Sequence, residues 1–286
     1  MAILAMGFIL GVLSAPINMA KFFIKPKSQD LYVVSEHKPF VIIVPSYNNS
    51  EWVEKNLSSI FAQKYDNYRV IYIDDASVDA TGIHVEDYVA QCKMAHRIEV
   101  IHNLSNRGAC ENIYRAIHSC GDEEIALVLD GDDWLAYDRV LERLNEIYAN
   151  PDTWLTYGSY IEYPSYSYTV ANFSRPLPEA VLKKNSIREY SKKHYCFSHL
   201  KTFQVSLFKK IKLEDFLENG KFFDAASDAS FMIPMVEMAG FHAKYVREVF
   251  YIYNRATPLN DNKVRGQRQL QLTQYICGQP CYSRLD

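Results

Sequence analysis

An excess of basic residues is missing from this chain: 31 Lys and Arg face 34 Asp and Glu, for a formal net charge of -3. Without a domain-wide basic footprint, nucleic acid is excluded as the main partner. A disulfide framework is missing too. The six cysteines (Cys92, Cys110, Cys120, Cys196, Cys277 and Cys281) are scattered over 286 residues, unlike the dense cysteines of small secreted scaffolds. Cys277-Gly-Gln-Pro-Cys281 has the spacing of a clip or half a metal site, but no second pair accompanies it, so free thiols are expected. There is no internal repeat and no low-complexity tract. Charge is absent from residues 1–20, Lys21 being the first charged side chain. That run is near the minimum for a bilayer span, yet Ser14, Pro16 and Asn18 weaken its second half, and it lacks the positive start of a signal peptide. Three readings stay open: a weak membrane anchor, a targeting segment, or an apolar helix packed on the fold. The location is accordingly cytoplasmic or membrane-associated.

What is present is ordinary in bulk. Hydrophobic residues make up 48% and charged ones 23%, as in a soluble protein, and the length is ample to bury a core. One large α/β domain, or one domain with a C-terminal extension, fits. The 21 tyrosines are a surplus that lines carbohydrate sites in some proteins, although half-buried packing is the plainer role.

Strand and helix signals alternate after a leader and linker at 1–38. Phe40–Val44 is an apolar strand stopped by Pro45, and helical spacing of Trp52, Leu57, Ile60 and Phe61 predicts a helix over about 50–62. Tyr68–Ile73 is a second strand ending in Asp74-Asp75, followed by a helix from Thr81 to about Cys92. Ile98–Ile101, a helix over Gly108–Ser119, a strand over Ile125–Leu129 and a helix over Tyr137–Tyr148 complete the pattern. Such alternation implies a mostly parallel central sheet flanked by helices. Residues 160–200 read as loops around an acceptor pocket. Phe231–Met238 reads as an apolar helix interrupted by Pro234, and the tail from Asn262 as polar and surface-wrapping.

The fourth strand ends in Asp130-Gly131-Asp132-Asp133, three carboxylates within four residues. Like charges this close repel unless a cation or a cluster of donors offsets them. Open α/β sheets bind ligands at the carboxyl ends of their strands. A divalent ion holding a phosphate suits that position, and helix capping by Asp132 or Asp133 is the plain alternative.

Val41-Ile42-Ile43-Val44-Pro45-Ser46-Tyr47-Asn48, then Ile73-Asp74-Asp75-Ala76-Ser77-Val78-Asp79-Ala80-Thr81, then Leu129-Asp130-Gly131-Asp132-Asp133, in this order, resemble family 2 glycosyltransferases. Asn103-Leu104-Ser105-Asn106-Arg107-Gly108 is similar to the family's Asn-rich turn. The resemblance covers about residues 39–255. It implies a GT-A type, Rossmann-like fold with a C-terminal acceptor-side extension, residues 39–158 binding a nucleotide sugar and 159–286 facing the acceptor. It further implies an inverting, hexosyltransferase-class enzyme that moves a sugar from a nucleotide-diphosphate donor, with UDP-sugar expected, to a glycan, lipid or protein hydroxyl.

The resemblance then implies a role for each matched position. Pro45, Ser46, Tyr47 and Asn48 form a stiff strand-end turn able to present backbone groups and a flat ring to a nucleobase and ribose. One of Asp74 and Asp75 accepts the uracil imide N–H, and the other caps the next helix. Asn106 and Gly108 belong to the donor-side turn. Asp132 contacts Mn2+ or Mg2+ with help from Asp130, which also reaches the sugar or ribose; Gly131 and Asp133 complete the tip. Asp228 is the general base, with Ser227 standing where the family commonly has an acidic residue, and Asp224 as the fallback. His199 lies near the acceptor or is structural, and Arg255 forks onto the diphosphate or is a solvated surface arginine. A phosphotransferase of the haloacid-dehalogenase type is disfavoured because the acidic motif is not on the first strand. A catalytically inactive nucleotide-sugar-binding protein and a nucleotidyltransferase stay open.

Overall fold

A computed structural model of the chain describes residues 34, 36–166, 174–257 and 264–285. The apolar run at 1–20 lies outside them; among the described residues no helix is long and apolar enough to cross a membrane. The first half alternates β1 (Phe40–Ser46), α1 (Val53–Phe61), β2 (Tyr68–Asp74), α2 (Thr81–Cys92), β3 (Ile98–His102), α3 (Ala109–His118), β4 (Ile125–Val128), a two-residue β5 (Trp134–Leu135) and α4 (Val140–Tyr148). β1 and β4 are buried along their whole length, as strands covered on both faces must be. Successive side chains of β1 point to opposite faces. Val41 and Ile43 enter the apolar layer shared with α3, whereas Phe40, Ile42 and Val44 enter the layer formed with α1, α2 and α4.

The second half adds β6 (Leu155–Tyr163), α5 (Glu179–Lys184), α6 (Ile187–Ser191), β7 (Ser198–Gln204), α7 (Val205–Phe208), the small hairpin β8 (Leu217–Glu218) and β9 (Lys221–Phe222), α8 (Ser227–Ala239), β10 (Ala243–Asn254) and α9 (Gly266–Cys277). Eight strands form one sheet in the order β3-β2-β1-β4-β7-β6-β10-β5. The β3-β2-β1-β4 half is parallel. β7 is antiparallel to both β4 and β6, and β10 returns parallel to β6.

Three expectations are corrected here. The stretch over 160–200 is not all loop: it holds α5, α6, the end of β6 and the start of β7, and those two strands lie inside the sheet. Their periodicity is masked by buried polar residues that satisfy one another: the Thr156 and Thr202 hydroxyls are 2.7 Å apart, and Tyr148 reaches Thr202 at 2.8 Å. Pro234 does not interrupt its helix; α8 runs through it and is buried from Ala229 to Ala239. The tail does more than wrap the surface, since Leu272, Ile276 and Cys277 of α9 are buried in the core beside α8. All six cysteines are free.

Candidate active site

The carboxyl ends of β1, β2 and β4 converge on one cavity of about 430 Å³, closed on its far side by β7, the first turn of α8 and residues of α9. Pro45, Ser46, Tyr47, Asp75, Asn106, Gly108, Asp130, Gly131, Asp132, Asp133, His199 and Asp228 all line it, and so does Asp224. Asn48, Asp74 and Arg255 do not line it. The Asn48 side chain instead accepts from Val78 N at 2.9 Å, stapling two loops. Asp74 accepts from Ser77 N at 3.2 Å and faces His102 at 3.4 Å. Arg255 lies 3.8 Å from Glu162, beyond the end of β10.

Asp75 is 3% exposed and organises the turn after β3. Its carboxylate accepts from Asn103 Nδ2 at 2.7 Å, Arg107 N at 2.9 Å and Gly108 N at 2.8 Å. Gly108 has φ +82°, a conformation that costs glycine little and side-chain residues more. Asn112, on α3 below this turn, accepts from Asn103 at 2.8 Å while its own buried amide nitrogen has no hydrogen-bond partner among the described residues. The end of β2 thus turns Asp75 toward the cavity and Asp74 toward α2.

The acidic tip is held from behind. Asn56 Nδ2 donates to the carbonyls of Asp130 and Asp133 at 3.0 and 2.7 Å. Asn254 donates from its backbone N–H to Asp133 Oδ1 at 2.6 Å and from its side chain to Asp132 O at 3.1 Å. The Tyr251 hydroxyl donates to Asp133 Oδ2 at 2.6 Å and to Asp130 Oδ2 at 3.3 Å. Gly131 passes so close to β1 that an added Cβ would lie 2.5 Å from Ser46 Cβ. Burial pushes the Asp133 carboxyl well above the ordinary carboxylate range, and the charges of Asp132 and Asp130 push it the same way. Asp133 is therefore walled into the protein, leaving Asp130 and Asp132 as the outward pair.

Among the described residues no group of three or more His, Cys, Asp or Glu is gathered to hold an ion alone. A divalent ion that arrives with a diphosphate has no need of one, because Mg2+ is commonly bound by one or two carboxylates plus substrate phosphates and water. Two cavity-facing carboxylates with hard oxygens, on a tip carrying three acidic residues, fit such an ion.

On the opposite wall, Asp228 occupies the first turn of α8. Its Oδ1 accepts from Ala229 N at 2.9 Å, and its Oδ2 lies 3.4 Å from Lys201 Nζ. The helix is entered through Ala226 in the left-handed region at φ 53°. Asp224 is tied to Arg268 at 2.9 Å. His199 stacks on Tyr251 at 4.3 Å, and burial first, then Lys201, hold its imidazole well below the usual histidine value. Burial pushes the cavity-lining Cys110 thiol up to about 12, which removes it as a nucleophile. Tyr251, Lys201, Tyr195, Asn56 and Asn112 carry much of this site and have no motif in the sequence. Asn56 and Asn112 are polar residues on helices α1 and α3, Lys201 and Tyr251 lie inside strands and Tyr195 precedes β7, so no local pattern marks them.

The half-parallel sheet with this cavity at its strand ends is the GT-A fold of glycosyltransferases. Its solved relatives include S. aureus TarS in complex with UDP-GlcNAc, 19% identical with a TM-score of 0.57 over 77% of this chain and 59% of that one. Glucosyl-3-phosphoglycerate synthase from Mycobacterium tuberculosis, in complex with Mn2+, UDP-Glc and phosphoglyceric acid, is 14% identical with a TM-score of 0.57 over 90% of this chain and 87% of that one. An uncharacterized glycosyltransferase of Haemophilus influenzae is 30% identical over 128 residues, 44% of this chain and 38% of that protein. The chain spans about two fifths of the length of the curated relatives it matches. The pattern of Glycosyl transferase family 2 matches residues 41–212. The chain belongs to that family.

Proposed function

We propose that this chain is an inverting, divalent-metal-dependent glycosyltransferase that moves a sugar from a UDP-sugar to an acceptor hydroxyl. The observation that carries this reading is the placement of Asp75, the Asp130–Asp132 pair and Asp228 around a single cavity. Residues 39–158 supply the donor side, with Asp75 accepting the imide N–H of the base and Tyr47 flanking the ring or ribose. Asp130 and Asp132 would hold Mn2+ or Mg2+ at the diphosphate. The bound ion would neutralise charge on the departing nucleotide. Residues 159–286 supply the acceptor side.

Asp228 takes the proton of the acceptor hydroxyl as its oxygen forms the bond to the anomeric carbon and the bond to the nucleoside diphosphate breaks. The oxygen attacks opposite the leaving group, so configuration inverts. The donors found in the solved relatives, UDP-GlcNAc in TarS and UDP-Glc with Mn2+ in the synthase, support a UDP-sugar. The acceptor is a hydroxyl of a glycan, lipid or protein.

A panel of nucleotide sugars with Mn2+, read by thermal shift, tests donor binding, because a ligand of the native state raises its melting point. Product analysis then separates the rivals. Release of nucleoside diphosphate supports transfer, release of pyrophosphate marks a nucleotidyltransferase, and affinity without turnover marks an inactive binder.

A further inference from the structure

Lys201 occupies a position that strand alternation reserves for an apolar side chain. It shares a face of β7 with Phe203, two residues on, and Phe203 packs against Phe231 of α8 with ring centroids 5.7 Å apart. An ammonium at this depth, with 5% of its side chain exposed, is costly unless paired. Its one carboxylate at ion-pair distance among the described residues is Asp228, with Nζ 3.4 Å from Oδ2. On its other side Nζ lies 3.4 Å from His199 Nδ1. Burial first, then Lys201 itself, disfavour protonation of that imidazole, which suits Nδ1 to accept from the ammonium.

From the carboxylate's side the arrangement is a clamp. Oδ1 is fixed by the Ala229 N–H at 2.9 Å and Oδ2 by the ammonium. The buried hydroxyl of Tyr195 lines this end of the cavity beside the same carboxylate, and burial first, then the Asp228 charge and a side-chain hydrogen bond to it, push its phenol well above the usual tyrosine value; it is neutral, so the ammonium is the charged partner of Asp228. An aspartate with 36% of its side chain exposed at the start of a helix would otherwise sample several rotamers.

We propose that Lys201 is a positioning residue for the transfer step: its buried ammonium holds the Asp228 carboxylate in the rotamer that meets the acceptor hydroxyl. The proposal rests on the functional reading above. Proton abstraction needs hydrogen-bond reach, and displacement of the base by an ångström costs rate rather than donor affinity. Lys201 lines the same cavity as the donor-side residues Asp75, Asp130 and Asp132, but its ion pair is with Asp228, so the loss is expected in the transfer step ahead of donor affinity.

The test uses the full chain with UDP-GlcNAc and UDP-Glc as donors, Mn2+, and glycerol as acceptor probe, in wild type, Lys201→Met, Lys201→Arg, Asp228→Asn and the Lys201→Met/Asp228→Asn pair. Lys201→Met is expected to lower kcat on the order of tenfold or more with donor affinity changed less than about twofold, and Lys201→Arg to recover most of the rate. Asp228→Asn, which strands the ammonium, is expected to melt below wild type, and adding Lys201→Met to it to raise the melting point again. A Lys201→Met protein with wild-type kcat overturns the proposal, as does a Lys201→Arg protein no faster than Lys201→Met. If wild type turns over none of these donors, the functional reading fails and the proposal falls with it. Turnover by wild type with an unchanged Lys201→Met variant defeats the proposal alone.

Discussion

The Tyr251 hydroxyl donates to Asp133 at 2.6 Å from a fully buried ring on strand β10. This bond ties the acidic tip after β4 to a strand three places away in the sheet. Asp133 stays fixed where burial alone would favour its neutral form. Tyr251→Phe keeps the ring and the stacking with His199 while leaving the carboxyl short of a donor. A loss of about 1–3 kcal/mol in urea unfolding is expected, together with weaker Mn2+ stimulation of turnover. Unchanged unfolding would show that the bond is not made in solution.

Gly131 is the second point at which the tip depends on close approach. A methyl group there meets Ser46, which itself accepts from Tyr72 at 2.9 Å and Asn49 at 3.1 Å. Gly131→Ala is expected to cost about 1–3 kcal/mol through overpacking and to displace the tip. Chemical denaturation measures the first effect and nucleotide affinity the second.

Asp75 and Asp74 separate cleanly by experiment. Asp75→Ala removes the acceptor of two backbone N–H groups and one side-chain amide as well as the proposed base contact. It is expected to reduce UDP affinity by about tenfold or more, consistent with loss of charge-assisted hydrogen bonds. Asp74→Ala, outside the cavity, is expected to leave UDP affinity within about twofold. Calorimetric titration of the two variants with UDP and Mn2+ compares them directly.

His199 gives a pH dependence of known sign. Its imidazole is held well below the usual value in the folded chain, against about 6.5 when unfolded. Below that pH the unfolded chain takes up a proton that the folded chain refuses, so this contribution to stability is complete above about pH 6.5 and declines as pH falls toward the folded value. Relative to His199→Gln, wild type is expected to lose up to about 1.4 kcal/mol for each pH unit below 6.5. Parallel stability curves for the two proteins would contradict the assignment.

Half of the sheet and most of the tip were legible in the sequence because their signals are local. Runs such as Phe40–Val44 and Ile125–Leu129 are apolar on both faces, and the acidic tip follows the second at once. What the sequence hid is long-range. β6 and β7 carry Thr156, Ser159, Lys201 and Thr202 in the interior, each satisfied by a partner far away in the chain, so their apolar period is broken. Alternation shows that Asp74 and Asp75 point in opposite directions but not which of them meets the cavity. Arg255 stands two residues beyond Tyr253, and it is Tyr253 that lines the cavity while Arg255 meets Glu162. Tyr251, buried and stacked, looks in the sequence like any other strand tyrosine.

Binding of UDP to the purified chain, titrated with and without Mn2+ in wild type and in Asp132→Ala, tests the central claim most directly. The account predicts affinity that rises at least about tenfold with Mn2+ in wild type and is indifferent to Mn2+ in the variant. Equal, metal-independent affinity in both proteins would contradict it.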